Sequence, residues 1–301
     1  MDPKPRLRAV GAAAVAGIVA ALVGYVIVAN ETSAQGKDPS NEAGMKILQR
    51  AHGSADSKDP AERLPDLDQE TPRQLRIKVS RSPLGKMYRL GFRSAVRNVG
   101  DGPLKLVGSR PDRHTPYLTV TQIIKMAGRL PIVVPGVGRM KYTISPDHRH
   151  WHYLDFEHYE LQRYELLALG ASKALRTDRK TGFCLGDRYR IHRRLQAAPP
   201  EPVYTGRCAL NQPMRLYIRA GISVGYGDDY AAFLEGQDLK LNGLAAGRYM
   251  LVHRVNADRG LRESQYGNNA ASVLLRLRWR DGTPSVRVLK KCPRTDRCLR
   301  S

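Results

Sequence analysis

Strict alternation of apolar and polar positions marks two segments of the chain. Leu75, Ile77 and Val79 interleave with Arg76, Lys78 and Ser80, and Val273, Leu275, Leu277 and Trp279 interleave with Leu274, Arg276, Arg278 and Arg280. A period of two predicts strands with one face buried. Further strands are predicted over 88–98, 117–125, 214–220, 249–256 and 285–290, separated by turn formers such as Gly100-Asp101-Gly102 and Asp281-Gly282. The AAPPEP run at 197–202 reads as a loop. Many short strands and few helical patterns predict a mainly β chain with a β-sandwich-like core and long loops.

The N-terminus departs from that pattern. Lys4, Arg6 and Arg8 precede an uncharged, mostly apolar run over 9–29, which predicts an apolar targeting helix set apart from the fold. Its length suits a bilayer span as well as a signal peptide, and Thr32-Ser33-Ala34 offers small residues for cleavage. Residues 1–34 are therefore expected to be a signal peptide or signal anchor. Residues 35–63, small and charged, are expected to form a flexible linker with a brief helix over 45–51, and 64–301 one large domain. The expected location is extracellular, either secreted or membrane-anchored.

Export changes how the cysteines and the charge are read. Cys184, Cys208, Cys292 and Cys298 are an even set, which favours disulfides outside the cell. Three pairings are possible, and nearness in sequence favours Cys184 with Cys208 and Cys292 with Cys298. A net charge of +22 would suit nucleic acid, but an exported chain does not meet it. Anionic cell-wall polymers or a membrane surface are the partners this charge implies.

The densest chemistry lies in the middle of the chain. Four of the eight histidines, His148, His150, His152 and His158, fall within DHRHWHYLDFEHYEL. On a strand, positions 148, 150 and 152 share one face, so three imidazoles converge on a point that suits zinc, copper, iron or nickel, copper leading on affinity, with a position left open.

This stretch resembles the copper-binding segment of the lysyl oxidase family, H-x-H-x-H followed by F-x-H-Y-[DE]-L, here Phe156, His158, Tyr159, Glu160 and Leu161. RKTGFCLGD at 179–187 is similar to the family's K-x-x-F-C-L-x-D, and GISVGYGDDY at 221–230 to its G-[IL]-S-x-G-x-x-D-x-Y. LPDL at 64–67, RNVGDGPLKLVGSRP at 97–111, HRR at 192–194 and ESQYGNN at 263–269 extend the resemblance over roughly residues 64 to 280. It implies a mainly β catalytic domain in which His148, His150 and His152 hold a copper ion. It also implies that Lys180 and Tyr230 join to form lysine tyrosylquinone. The activity implied is oxidative deamination of peptidyl-lysine or a small primary amine, consuming O2 and releasing aldehyde, hydrogen peroxide and ammonia. Asp155, Asp228 and His158, close in sequence to these parts, are the candidates for the catalytic base. Two other readings use fewer of the residues. A zinc hydrolase keeps the histidines and leaves Lys180 and Tyr230 idle, and a non-enzymatic, basic, wall-binding β domain explains the charge alone.

Overall fold

Strands begin almost at once in the computed structural model, which describes residues 59–83, 85–145, 148–168, 174–179, 182–191 and 194–298. In chain order they are β1 (Glu62–Arg63), β2 (Leu67–Gln69), β3 (Arg73–Ser82), β4 (Gly85–Asn98), β5 (Leu104–Ser109), β6 (Tyr117–Met126), β7 (Ile132–Ser145), β8 (His148–Tyr153) and β9 (Glu157–Arg163). A short helix, α1 (Tyr164–Ala168), follows, then β10 (Ala174–Arg179), β11 (Tyr189–Arg190), β12 (Tyr217–Ile222), β13 (Tyr226–Tyr230), β14 (Asp238–Lys240), β15 (Gly247–Val255), β16 (Ala270–Arg280) and β17 (Thr283–Cys292). The predicted N-terminal helix, the brief helix over 45–51 and Lys180 lie outside the described residues. β1 pairs with Lys125 and Met126 of β6, so pairing starts just upstream of the expected domain boundary at residue 64.

The chain is mainly β, as predicted, but its strands are shared among three sheets rather than the two of a plain sandwich. One runs β12-β5-β6-β7-β8, a second β10-β9-β15-β16-β17, and a third β11-β13-β4-β14, with β2 and β3 also pairing to β4. The length of β4 makes this possible, because its first part, 85–93, pairs with β3 and β14 and its last part, 94–98, with β2 and β13. Leu90, Phe92, Leu106, Leu118, Tyr159, Leu251 and Leu275 are among the side chains that fill the main core.

Three departures from the alternation reading have local causes. The first half of β16 is buried on both faces, because Leu274 joins Met250, Val252, Tyr164 and the Cys292–Cys298 disulfide in a second cluster. The strand predicted from Met214 starts only at Tyr217. The carbonyls of Pro213 and Arg215 are taken by the buried Arg110 guanidinium at 2.7 and 3.0 Å and are not available to a ladder. β7 escaped prediction because Pro135, Gly136 and Gly138 read as breakers, yet they sit in an irregularity where the β6 register shifts.

LPDL and ESQYGNN, far apart in sequence, meet in a buried polar junction. The Glu263 carboxylate accepts from Leu67 N at 2.8 Å, Asn256 Nδ2 at 2.5 Å and Asn269 Nδ2 at 2.6 Å, and Asn268 donates to Asp66 at 2.7 Å. Burial outweighs those donors and raises the Glu263 pKa to about 7. A folded-state pKa above the unfolded value of about 4.3 means that the native state binds the extra proton. Stability is then full below pH 4 and falls as pH rises from about 4.5 to 7, a contribution of roughly 3 kcal/mol. Glu263→Gln is expected to flatten this part of the stability profile, as read by urea melts from pH 4.5 to 8. An unchanged slope would mean that Glu263 is ionised throughout.

Candidate metal and redox site

The alternation of β8 separates two functions onto two faces. Trp151 points inward, with the Arg110 guanidinium 4.7 Å over its ring, Tyr142 edge-on at 5.6 Å, and its Nε1 donating to Gln212 O at 3.1 Å. That anchor fixes the strand, and His148, His150 and His152 project from the other face as predicted. Their ring centroids lie 5.3, 5.0 and 4.6 Å apart, and one nitrogen of each falls within 4.8 Å of the others. Nε2 of His150 and Nε2 of His152 are 2.7 Å apart. The Thr143 hydroxyl sits 3.1 Å from Nδ1 of His152 and orients that ring so that Nε2 faces the shared space. A partner on the remote nitrogen is what orients a histidine toward a metal. Among the described residues the group is a purely nitrogen donor set, mostly buried and lacking a carboxylate. Such a set fits copper or zinc.

β8 is the terminal strand of its sheet, not an interior one, and its outer edge is closed by two loop segments. Trp151 N donates to Cys208 O at 3.0 Å, while Tyr153 and Phe183 exchange backbone hydrogen bonds of 2.8 and 2.9 Å. The Cys184–Cys208 disulfide ties these segments to each other. Both pairings favoured from sequence, Cys184 with Cys208 and Cys292 with Cys298, are formed.

This edge brings the second half of the site in. Gly182 stands against β8 so closely that a Cβ there would lie 2.5 Å from His152 Cβ and 2.9 Å from Tyr153 O, at a φ of +133°. The next residue, Phe183, packs edge-on against the Tyr230 ring at 4.7 Å and against Phe156 at 5.7 Å. Tyr230 OH donates to Cys184 O at 3.1 Å. One histidine and the tyrosine thus contact consecutive residues of the segment that begins beyond Lys180. Lys180 itself is not described, but Arg179 pairs with His158 across β10 and β9, and Gly182 meets His152. Gly182→Ala is expected to displace His152 and weaken copper binding about 10- to 100-fold, measured by competition with a chelator. An unchanged affinity would show that the close approach is irrelevant to the metal.

Tyr230 is buried, and its phenol is held well above the usual tyrosine range, first by burial and then by the Asp228 charge, with the Arg188 guanidinium opposing. Arg188 Nε donates to Asp228 Oδ1 at 2.7 Å, and its guanidinium carbon lies 5.7 Å from the Tyr230 ring centre. Asp228 and Tyr230 share a face of β13. Of the three base candidates, Asp228 is therefore the one placed beside the tyrosine. Asp155 is exposed in the β8–β9 turn at a φ of +58°. His158 projects from the face of β9 that carries Glu160, whose carboxylate is 3.5 Å from His158 Nδ1 and 3.0 Å from Arg254.

The opposite face of β9 holds what the sequence reading missed. Glu157 Oε2 collects His253 Nε2 at 2.7 Å, Tyr159 OH at 2.9 Å and Ser94 Oγ at 3.2 Å. All four residues are buried. Ser94 is the backbone partner of Tyr230 across β4 and β13, so this cluster backs the tyrosine strand. A period-two reading of EHYEL would have found it, since Glu157, Tyr159 and Leu161 share the inward face. Arg188 had no comparable signal, because its role appears only when two distant segments meet.

The lysyl oxidase family profile matches residues 110–287, more than half of the chain and inclusive of the three histidines, Lys180 and Tyr230. A protein-lysine 6-oxidase of Rattus norvegicus is 26% identical over 166 residues, which cover 54% of this chain and 35% of the relative. The chain thus aligns with about a third of the length of that curated protein. The family match spans the segments that form the site, and the chain belongs to the lysyl oxidase family.

Proposed function

We propose that the protein is an exported copper amine oxidase that converts the primary amine of a lysyl side chain, or of a related small amine, to an aldehyde. The balance is one amine, one O2 and one water giving one aldehyde, one ammonia and one hydrogen peroxide. The observation that carries the reading is that His152 and Tyr230 pack against the adjacent residues Gly182 and Phe183. An amine has no electron acceptor of its own, so the reaction requires a redox group. Copper on His148, His150 and His152 and a lysine tyrosylquinone from Lys180 and Tyr230 would supply that acceptor and pass its electrons to O2.

The chain's own residues have separable tasks in this reading. Phe183, backed by Phe156, keeps water from the Tyr230 ring. Arg188 fixes Asp228, and Asp228, on the strand face of Tyr230, is the residue we assign to take a proton from the carbon next to the substrate nitrogen. Thr143 keeps His152 aimed at the metal. The two disulfides and the basic, then apolar, N-terminus support an oxidising, extracellular setting, secreted or membrane-anchored. Anionic wall polymers, expected from net charge alone, gain no support from the site.

The test is tryptic mass spectrometry of protein expressed with copper and oxygen. A peptide joining Lys180 to Tyr230 and reacting with phenylhydrazine is expected. Linear, unmodified peptides at full copper occupancy would sink the reading and favour a zinc hydrolase or a binding module.

A further inference from the structure

The face of β8 that carries the histidines continues across its whole sheet. Directly paired residues of antiparallel strands share a face, and His152 pairs with Lys141, which pairs with Tyr117. Along β6 the same outward face then presents Thr119, Thr121, Ile123 and Lys125, while β5 and β12 add Lys105, Val107, Tyr217 and Arg219. Arg139, opposite Thr119, lies over the Tyr117 ring at 4.8 Å. Not one residue of β5, β6, β7, β8 or β12 is Asp or Glu. Among the described residues, Lys105, Lys125, Arg139, Lys141 and Arg219 have no carboxylate partner.

The far end of this face is also shaped. A cavity of about 610 Å³ opens there, with Lys105, Lys125, Arg129 and Arg219 around a floor that includes Ile123 and Pro131. Val133, which pairs with Ile123, and Val203 at the cavity wall are 58% and 60% exposed. Lys105, Lys125 and Arg219, with no carboxylate partner among the described residues, and Arg129, which pairs with Asp59 at 3.0 Å, stand beside exposed apolar side chains and form a surface that an acidic chain with some apolar residues would cover.

We infer that this sheet face is a docking surface for an acidic polypeptide segment that belongs to the same chain as the lysine being oxidised. The inference rests on the amine oxidase reading and addresses its main difficulty. Lys141, next to His152, and the rest of the basic face repel a free amine, whereas carboxylates flanking the target lysine reverse that repulsion. Strand spacings of about 4.8 Å and a rise of about 3.3 Å per residue put the cavity roughly 25 Å from His152. An extended peptide spans that in about seven or eight residues.

The experiment uses two synthetic peptides, identical except that glutamates placed along eight residues beside a single lysine are glutamines in the second. Binding to the full-length protein is followed by fluorescence anisotropy, with and without copper, at low and high salt. The acidic peptide is expected to bind at least about tenfold more tightly, with the difference shrinking at high salt. In Lys105→Glu/Lys125→Glu that preference is lost, and the ratio of kcat/KM for the acidic peptide to that for a free diamine falls about tenfold, through KM and not kcat. Equal binding of the two peptides, or a preference indifferent to the charge reversals, would overturn the inference. So would DNA or anionic vesicles binding through the same lysines with no preference for the acidic peptide. Should the protein oxidise no amine yet bind the acidic peptide through these lysines, the docking surface stands and the oxidase reading falls.

Discussion

Tyr230→Phe is expected to abolish amine turnover, by more than about 10³-fold in kcat, while copper binding and the fold survive. Phenylalanine keeps the ring that Phe183 packs against at 4.7 Å and removes only the hydroxyl that reaches Cys184 O at 3.1 Å. The lost hydrogen bond costs about 1 kcal/mol. A second, larger stability loss is expected because no bond to Lys180 can form. A covalent loop of about fifty residues contributes roughly 4 kcal/mol in the chain-entropy model. Wild-type protein made without copper and then loaded with it in the absence of oxygen should lose that same roughly 4 kcal/mol, which separates the crosslink from the hydroxyl. Peroxide release, copper analysis and thermal melts of the three samples check the argument together. A Phe variant that still yields peroxide from an amine would remove Tyr230 from the redox role. One that melts like wild type made with copper and oxygen would show that no crosslink forms.

The halves of this site differed in how far the sequence disclosed them. The histidine group was legible because three imidazoles on one strand need only the period of two to share a face, a local property of HRHWHY. The disulfides were legible because each pairs neighbours in sequence. What positions Tyr230 was not legible, since Arg188, Phe183 and Ser94 reach it from separate strands and loops. The fold followed the same division. β3 and β16 were found by alternation and β6, β15 and β17 were also predicted, while β7 hid behind its proline and glycines and the three-sheet arrangement depends on the unusual number of partners of β4. Among the candidates for the base, nearness in sequence grouped Asp155, His158 and Asp228, yet only Asp228 shares a strand face with Tyr230.

Breaking the cluster behind Tyr230 is expected to be the most destabilising polar change in the domain. The Gln69 amide donates to Nδ1 of His253 at 2.8 Å and to Ala95 O at 2.8 Å. That leaves Nε2 as the ring N–H, aimed at Glu157 from 2.7 Å. Glu157 is about 1% exposed and His253 0%, so neither group can turn to water if its partner is removed. His253→Leu should therefore cost about 3–5 kcal/mol, the range for an orphaned buried charge, or a fall in Tm of roughly 6 to 20 °C for a domain of this size. Glu157→Leu should cost a similar amount, because Tyr159 and Ser94 lose their acceptor along with His253. The double variant should cost clearly less than the sum, since replacing both members removes the uncompensated charge. Tyr230 is fixed to Ser94 through the β4–β13 ladder, so each single change should also lower the yield of quinone per copper bound. Denaturant melts with phenylhydrazine titration read both quantities. Additive costs would mean that Glu157 and His253 are independent core residues, and an unaltered quinone yield would mean that they hold the fold without holding the tyrosine.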